Sequence, residues 1–500
     1  MTQSGASPTL DDLFRRAVAR QPDDVALIDP PNKQRITGHA PRQLTFAQAD
    51  QAVSAIAARL IEAGLPAGSI IAVQMPNTIE FVVTVLAAIR AGLVVALLPQ
   101  LWRQSELTTA LNRVGARAIV GVSRIEIVDH ADLALNAAAE AFSIRHVFGF
   151  GSDLPEGMTP LEIATSGMNG WLPPVALDAR RPAIITFDVT AEGFRAIPRN
   201  HVQLMSGGLA IVLESGLPQG SRLLAAMSPL SFGGLAASVV TWLLCGGSLA
   251  LHHPADLQVL EQQIGDGNCE ALIAPAPLAL RLAESGAFSG QKTMRHVIGL
   301  WRTPDRVASS ENWQDAATTL TDVYLFGEIG LFGVRRGENG TPAPIAAGPF
   351  GAPRAVAGSK TVGELIVTPK ATLAVRGSMV PIAAYRAAPS DVNSLTATPA
   401  PDYVDTGYSA RLDRATGSID ITAPPAGIVA VGGYRFLSQD LDEWAKRLAS
   451  GAMLTALPDQ LNGFRLAGRA IDNRRAREAL GELGLNPLMV EAFRDRSSGT

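Results

Sequence analysis

The stretch IIAVQMPNTIEFVVTVLAAIRAGLVVALLPQLWRQSEL, residues 70–107, contains a complete βαβ unit. An apolar run over 69–75 has the length of a buried strand, and Pro76-Asn77 is a turn. A helix over 79–91 follows, and Gly92 stops it, because glycine takes the left-handed conformation that ends a helix without steric cost. Residues 93–98 form a second strand, closed by Pro99. Upstream, 10–20 has helical spacing, with Leu10, Leu13, Phe14, Ala17 and Val18 on one face; 25–29 reads as a short strand and 47–64 as a helix. Strands alternating with amphipathic helices argue for a parallel sheet.

The pattern continues downstream. Strands over 221–227, 248–252 and 271–274 alternate with helices over 235–244, 257–264 and 277–282. Residues 340–424 are rich in Gly, Pro, Ala and Thr and hold short strands such as 363–368 without a long helix. Pro424-Pro425 and Gly427 read as a linker. Beyond it, helices over 436–448 and 474–483 sit over strands 453–456 and 464–468. The expected class is therefore α/β. A large multi-subdomain N-terminal domain over 1–424 comprises α/β units of about 1–180 and 181–339 and a small β-rich subdomain over 340–424. A small, shortened α+β C-terminal domain occupies 425–500.

Composition narrows the function classes. Of 500 residues, 47% are hydrophobic, enough for large cores, and the net charge of −4 is spread over both signs. No basic patch or aromatic-interleaved stripe points to nucleic acid. No run reaches the ~20 unbroken apolar residues of a membrane span; the nearest, 82–98, is interrupted by Arg90 and Gly92. The N-terminus lacks the basic and apolar regions of a secretory signal. Cys245 and Cys269, the only cysteines, lie in apolar surroundings, so a reducing, cytoplasmic compartment is expected. The seven histidines form no metal set; adjacent His252 and His253 face opposite ways on an extended chain and read as a solvated loop pair.

The segment PAIITFDVTAEGFRAIPRNH, residues 182–201, has the layout of a phosphate-cradling turn: an apolar β run, a short loop, and a helix start near Asn200. Its loop is poor for that task. Asp188 and Glu192 repel a phosphate, and Val189 and Phe194 donate nothing. Thr190, Gly193 and Arg195 remain as anion partners. An ordinary strand–turn–helix without a ligand is the alternative.

Several of these stretches together resemble the adenylate-forming superfamily of acyl-CoA synthetases, peptide-synthetase adenylation domains and luciferases. The resemblance runs through 70–107, through ITF and AIPRNH around the loop, through GELIV at 363–367 and VGGYRF at 431–436, and so spans nearly the whole chain. It implies an ATP triphosphate held by the loop, which in that family reads close to TSGTTGxPK; here the loop is one residue short and rewritten. The family's YGxTE, which stacks adenine and supplies a Mg²⁺ acid, is matched by YLFGEIG at 324–330. Phe326 and Gly327 fit its first places. Without a gap Gly330 replaces the acid, and with a two-residue deletion Glu328 becomes the acid. The ribose-gripping TGD is matched by Thr406, Gly407 and Tyr408, and a phenol cannot replace the carboxylate. Asp405 is a poorly placed substitute.

Further on, the hinge GR pair falls on Ala423-Pro424 and the hinge acid on Gly427. Gly432, Gly433 and Arg435 match the loop that the family turns toward the site for CoA thioester formation; a plain hairpin turn is the alternative. The terminal lysine segment of the family does not appear before the closing RDRSSGT. SPLSFGGLAASVV at 228–240 resembles the acyl region, with Ser231, Phe232 and Gly233 as the candidate acyl pocket; a packed core helix explains 235–240 equally. No metal ligand set and no catalytic residue is assigned.

Three readings follow. The first is a degenerate acyl-CoA synthetase homologue that keeps an acyl, CoA or carrier-protein surface. The second is a working ATP-dependent acid–CoA ligase that uses Arg195, Glu328 and Arg411. The third is an acyl-transfer enzyme that needs no ATP. ATP with Mg²⁺ and CoA are the cofactors of an active form, and none is needed by a vestigial one. The expected partners are a carboxylic acid or acyl thioester and an acyl carrier protein.

Overall fold

The computed structural model describes residues 7–165, 177–254, 256–351, 362–386, 401–448 and 451–494. Two sheets carry the N-terminal region. The first has seven strands in the order Gly193–Asn200, Pro182–Thr190, Val94–Leu97, Ile70–Val73, Ala118–Val122, His146–Phe150 and Thr159–Pro160. Its central strands run parallel, with Ile71 opposite Val95 and Ala118. Alternate side chains go to opposite faces: Ile71, Val73, Val95 and Leu97 enter one core, while Ala72, Val94 and Ala96 enter another. Burial on both faces explains why these strands are apolar at every position.

The helix Ile79–Arg90 between the two central strands is buried along its whole length. Its charged residues tolerate this because each has a partner. Lys33 Nζ lies 2.5 Å from Glu80, and Arg90 lies 2.8 Å from Asp11 and 2.7 Å from Asp50.

The second sheet has eight strands, in the order Gly330–Arg335, Thr319–Phe326, His296–Trp301, Ala271–Pro275, Leu223–Ala225, Leu249–Leu251, Val25–Ile28 and Gln43–Thr45. The expected division of α/β units at about 180 is therefore not a division between sheets. Val25–Ile28 pairs in parallel with Leu249–Leu251, and Pro182–Thr190 pairs in parallel with Val94–Leu97. Apolar alternation marks a strand but carries no record of its partner.

The helix Phe232–Leu235 starts three residues before the expected 235, capped by Ser231, and continues through a π-helical stretch, Ala236–Val240, to Cys245. The helix His201–Ser215 packs on it. A Cβ at Gly208 would lie 2.7 Å from Val240 Cγ1, so glycine permits the approach.

The described parts of 340–424 form a six-stranded antiparallel sheet and one short helix, Ile382–Tyr385; residues 352–361 and 387–400 of that expected subdomain lie outside the described residues. The C-terminal region has its own core, in which Val431, Leu441, Leu454, Leu466, Leu480 and Phe493 meet. Its helix begins at Ser438, two residues after the expected 436. Phe436 and Leu437 belong instead to the strand Tyr434–Leu437, which pairs with Ile428–Val431. His252 and His253, expected in solvent, are both buried, and His252 Nδ1 is 2.7 Å from Gln263 Oε1. No helix among the described residues is long and apolar enough to cross a membrane.

Candidate functional site

The loop of 182–201 is a β-hairpin. Pro182–Thr190 and Gly193–Asn200 pair residue for residue to Thr190 opposite Gly193, leaving a two-residue turn, Ala191-Glu192. The segment 193–200 is thus a strand, where a loop was expected. The helix start at Asn200 is as expected, because the Asn200 side chain accepts from the Gln203 N–H. Within the turn, Thr190 Oγ1 lies 3.2 Å from both Glu192 Oε2 and the Gly193 carbonyl. Arg195 donates to Glu192 Oε2 and to the Ala384 carbonyl, each at 3.1 Å. The polar groups of the turn satisfy one another.

Asp188 points the other way, into the protein, and is 2% exposed. Arg435 Nη1 donates to its Oδ1 at 2.7 Å, and the Tyr385 hydroxyl donates to Oδ2 at 2.8 Å. The Glu328 N–H approaches Oδ2 at 3.3 Å, and the Val189 N–H donates to Oδ1 at 2.9 Å. One carboxylate thus joins the hairpin, the short helix near 385, the turn after strand 319–326 and the C-terminal region. Burial, and then the Asp188 charge, push the Tyr385 pKa well above the ordinary phenol value, so it stays a neutral donor. Burial opposes the Arg435 charge, but Asp188 and then Tyr408 outweigh it and hold its pKa above the ordinary arginine value.

Gly327, with φ 56°, lies directly beneath this pair; a Cβ there would collide with Arg435 Nη1 and sit 3.0 Å from Asp188 Oδ2. The next residue, Glu328, accepts from the Phe232 N–H at 2.8 Å, and its carbonyl accepts from Arg199 Nη2. Burial, opposed by Arg199 and reinforced by Asp188, raises the Glu328 carboxyl to about 7. Arg199 is fully buried, and its guanidinium carbon stands 4.0 Å from the centre of the Phe232 ring.

A cavity of about 270 Å³ opens between this cluster and the C-terminal region. It lies beyond the carboxyl ends of two parallel strands, His296–Trp301 and Thr319–Phe326, the position where open α/β sheets hold ligands. One wall is aromatic. Trp102 lies 5.3 Å from Phe187 and 5.7 Å from Phe194, and the two phenylalanine rings stack at 5.4 Å. The opposite wall carries Gly432, Gly433, Phe436 and Trp444. Gly432-Gly433 is the two-residue turn of a hairpin, with φ 57° at Gly432. Arg302, just past strand 296–301, rests against it, and a Cβ on Gly433 would lie 3.0 Å from Arg302 Cζ.

Of the residues singled out from sequence, Ser231, Gly233, Gly327, Glu328, Gly432, Gly433 and Arg435 line this cavity. The others are elsewhere. Thr190, Gly193 and Arg195 belong to the hairpin tip. Phe232 is wholly buried beneath Arg199 and is no pocket wall. Phe326 and Tyr408 are buried edge to face at 6.0 Å. Thr406 donates to the Leu373 carbonyl, and Gly407 donates its N–H to Asp405, whose other oxygen accepts from Thr372. Arg411 is exposed and paired with Asp420 at 2.9 Å.

Sequence reading did not single out Trp102, Glu106 and Arg302, which line the cavity, or Tyr385, which donates to Asp188. A signal existed for Arg302, since it directly follows an apolar strand on the ligand edge of a parallel sheet. Tyr385 had none, because only the tertiary fold brings it to Asp188. Among the described residues no group of three or more His, Cys, Asp or Glu side chains is placed to hold a metal ion.

Residues 14–328 match the AMP-binding enzyme family. Among the curated relatives, the salicyl-AMP ligase / salicyl-S-ArCP synthetase of Mycobacterium tuberculosis is 28% identical over 194 residues, 39% of this chain. The medium-chain fatty-acid–CoA ligase of Escherichia coli is 28% identical over 142 residues, 28% of this chain. The matched stretches span only 33% and 23% of those two proteins. Among solved structures, the amide bond synthetase McbA from Marinactinospora thermotolerans superposes with a TM-score of 0.70 at 17% identity, covering 95% of this chain and 94% of that one. At that identity the superposition speaks for the fold alone. With well over half of its residues matched, the chain belongs to the AMP-binding enzyme family.

Proposed function

We propose that this chain is an adenylate-forming protein whose ATP-dependent adenylation is weak or lost and whose interdomain cleft retains an acyl, CoA or carrier-protein binding role. The observation that carries the reading is the Asp188–Arg435 pair. Family members in general use ATP with Mg²⁺ and CoA, and act on carboxylic acids and thioester carriers. The residues present here do not fit the triphosphate. The hairpin's buried group is a carboxylate, and the cation that touches it, Arg435, is already bound to it. A phosphate brought within 4 Å of Asp188 meets from that carboxylate a repulsion of about 4 kcal/mol at an effective dielectric of 20, which the attraction of the paired Arg435 reduces. Thr190 and Arg195 have turned their donors to the hairpin itself and to the Ala384 carbonyl. Tyr408 offers one buried phenol where two ribose hydroxyls need a carboxylate.

The cleft, by contrast, keeps an apolar wall and a glycine turn facing it. That combination supports occupancy by an acyl chain or a pantetheine-like arm. Calorimetric titration with Mg-ATP tests the reading, with no binding expected at micromolar concentration. A micromolar Kd returns the chain to the working ligases. Replacing Asp188 by Gly and Val189 by Ser should raise affinity for inorganic pyrophosphate before it restores any turnover.

A further inference from the structure

Two arginines line the interdomain cavity, and their situations differ. Arg435 has Asp188 at 2.7 Å. Arg302 has no carboxylate within 4 Å among the described residues, and its one hydrogen-bond partner there is the weak acceptor Met227 Sδ, at 3.4 Å. Burial disfavours its charge, and the more distant Tyr434 and Glu328 do not make up the difference, so its pKa lies below the ordinary arginine value. Arg302 is half-buried and faces the cavity, so a guanidinium with no counter-ion within ion-pair distance among the described residues is turned toward the space a ligand would fill, and its fork suits an oxyanion. The backbone at 433 leaves it room, because a Cβ there would stand 3.0 Å from Arg302 Cζ and press the guanidinium aside by a few tenths of an ångström. The aromatic wall of Trp102, Phe187 and Phe194 borders the same cavity.

We propose that Arg302 is the anion anchor of this cavity, holding the terminal carboxylate of a small amphipathic acid as the intact anion, with the acid's apolar body against the aromatic wall. The inference rests on the reading of the cleft as a retained acyl-binding site, and adds a positioning residue and a binding mode that requires no nucleotide. No bond is made or broken. The acid enters ionised, and its charge is matched by the guanidinium.

The test is calorimetric titration of the full chain with 2-naphthoate and decanoate, each against its neutral carboxamide, with no ATP present. The acids should bind at least tenfold more tightly than the amides. Preference for naphthoate identifies a flat aryl body and preference for decanoate a chain. Arg302→Gln should remove the acid–amide difference, Arg302→Lys should keep part of it, and Gly433→Ala, which leaves the arginine in the sequence but crowds its guanidinium, should lower acid affinity by less than Arg302→Gln does. Equal affinity for acid and amide, or acid binding indifferent to Arg302→Gln in a variant that melts like the parent, overturns the assignment. Micromolar Mg-ATP binding in a separate titration would strike the nucleotide reading alone and leave an Arg302-dependent acid affinity standing.

Discussion

Asp188 and Arg435, 247 residues apart in sequence, meet at 2.7 Å between the N-terminal hairpin and the C-terminal region. The carboxylate on which the proposed loss of phosphate binding rests is also the one that ties the C-terminal region to the hairpin. Other contacts add to the seat. The Leu101 N–H donates to the Tyr434 hydroxyl at 2.9 Å, and Arg306 stacks on Phe464 at 4.6 Å.

Asp188→Asn should therefore destabilise the chain by about 3–5 kcal/mol, because it strands the Arg435 charge in a buried place. Arg435→Gln should cost less, since Tyr385 and two N–H groups still serve Asp188. Chemical denaturation of both variants and the double variant measures the coupling. Effects that simply add would remove the pair from the interdomain contact.

A single dominant interdomain distance is expected. Ile127 and Ile471 are 98% and 93% exposed and make suitable label sites, one in each region. Spin labels there should give one narrow distribution, unchanged by Mg-ATP, that broadens in Asp188→Asn. Two well-populated distances that exchange on adding ATP would mean that a catalytic cycle survives.

We place the boundary between the large and small domains near Pro424-Pro425. Gly427 has φ 72°, and a Cβ added there would meet no other described atom within 4 Å, which marks an open turn. Limited proteolysis should nick first between about 414 and 430. Protection there, together with cuts inside 93–98, would contradict the division.

Glu328 gives a pH signature. Its carboxyl is raised from 4.5 to about 7, first by burial, so the folded state keeps a proton that the unfolded chain has released. Its contribution to stability is full below pH 4.5 and is lost as pH rises through about 7. Glu328→Gln removes this dependence. The stability of the variant relative to the parent should rise between those two pH values by up to about 3 kcal/mol, at 1.36 kcal/mol per unit. Denaturation midpoints measured at pH 5 and pH 8 check it, and a pH-independent difference would place the charge of Glu328 in an environment unlike the one described.

The elements were legible in the sequence because their signals are local. Leu10–Arg20 has both its apolar spacing and its Thr9–Asp12 capping box within a few residues, and Ile79–Arg90 ends where a left-handed glycine follows it. For the glycine pair at 432–433 a plain hairpin turn was one of the two readings the sequence offered, and the pair forms such a turn. The departures from the family's nucleotide motifs were equally plain, since Asp188 and Tyr408 are read directly from the sequence.

What the tertiary structure alone decided is which groups face each other. Nothing local sends Val25–Ile28 to the second sheet and Pro182–Thr190 to the first, because strand pairing is a long-range choice among similar apolar edges. Nothing local separates Arg435, neutralised by a carboxylate from the far side of the chain, from Arg302, which has none among the described residues. A side chain's type is written in the sequence, but its net charge environment is a sum over neighbours that only folding assembles.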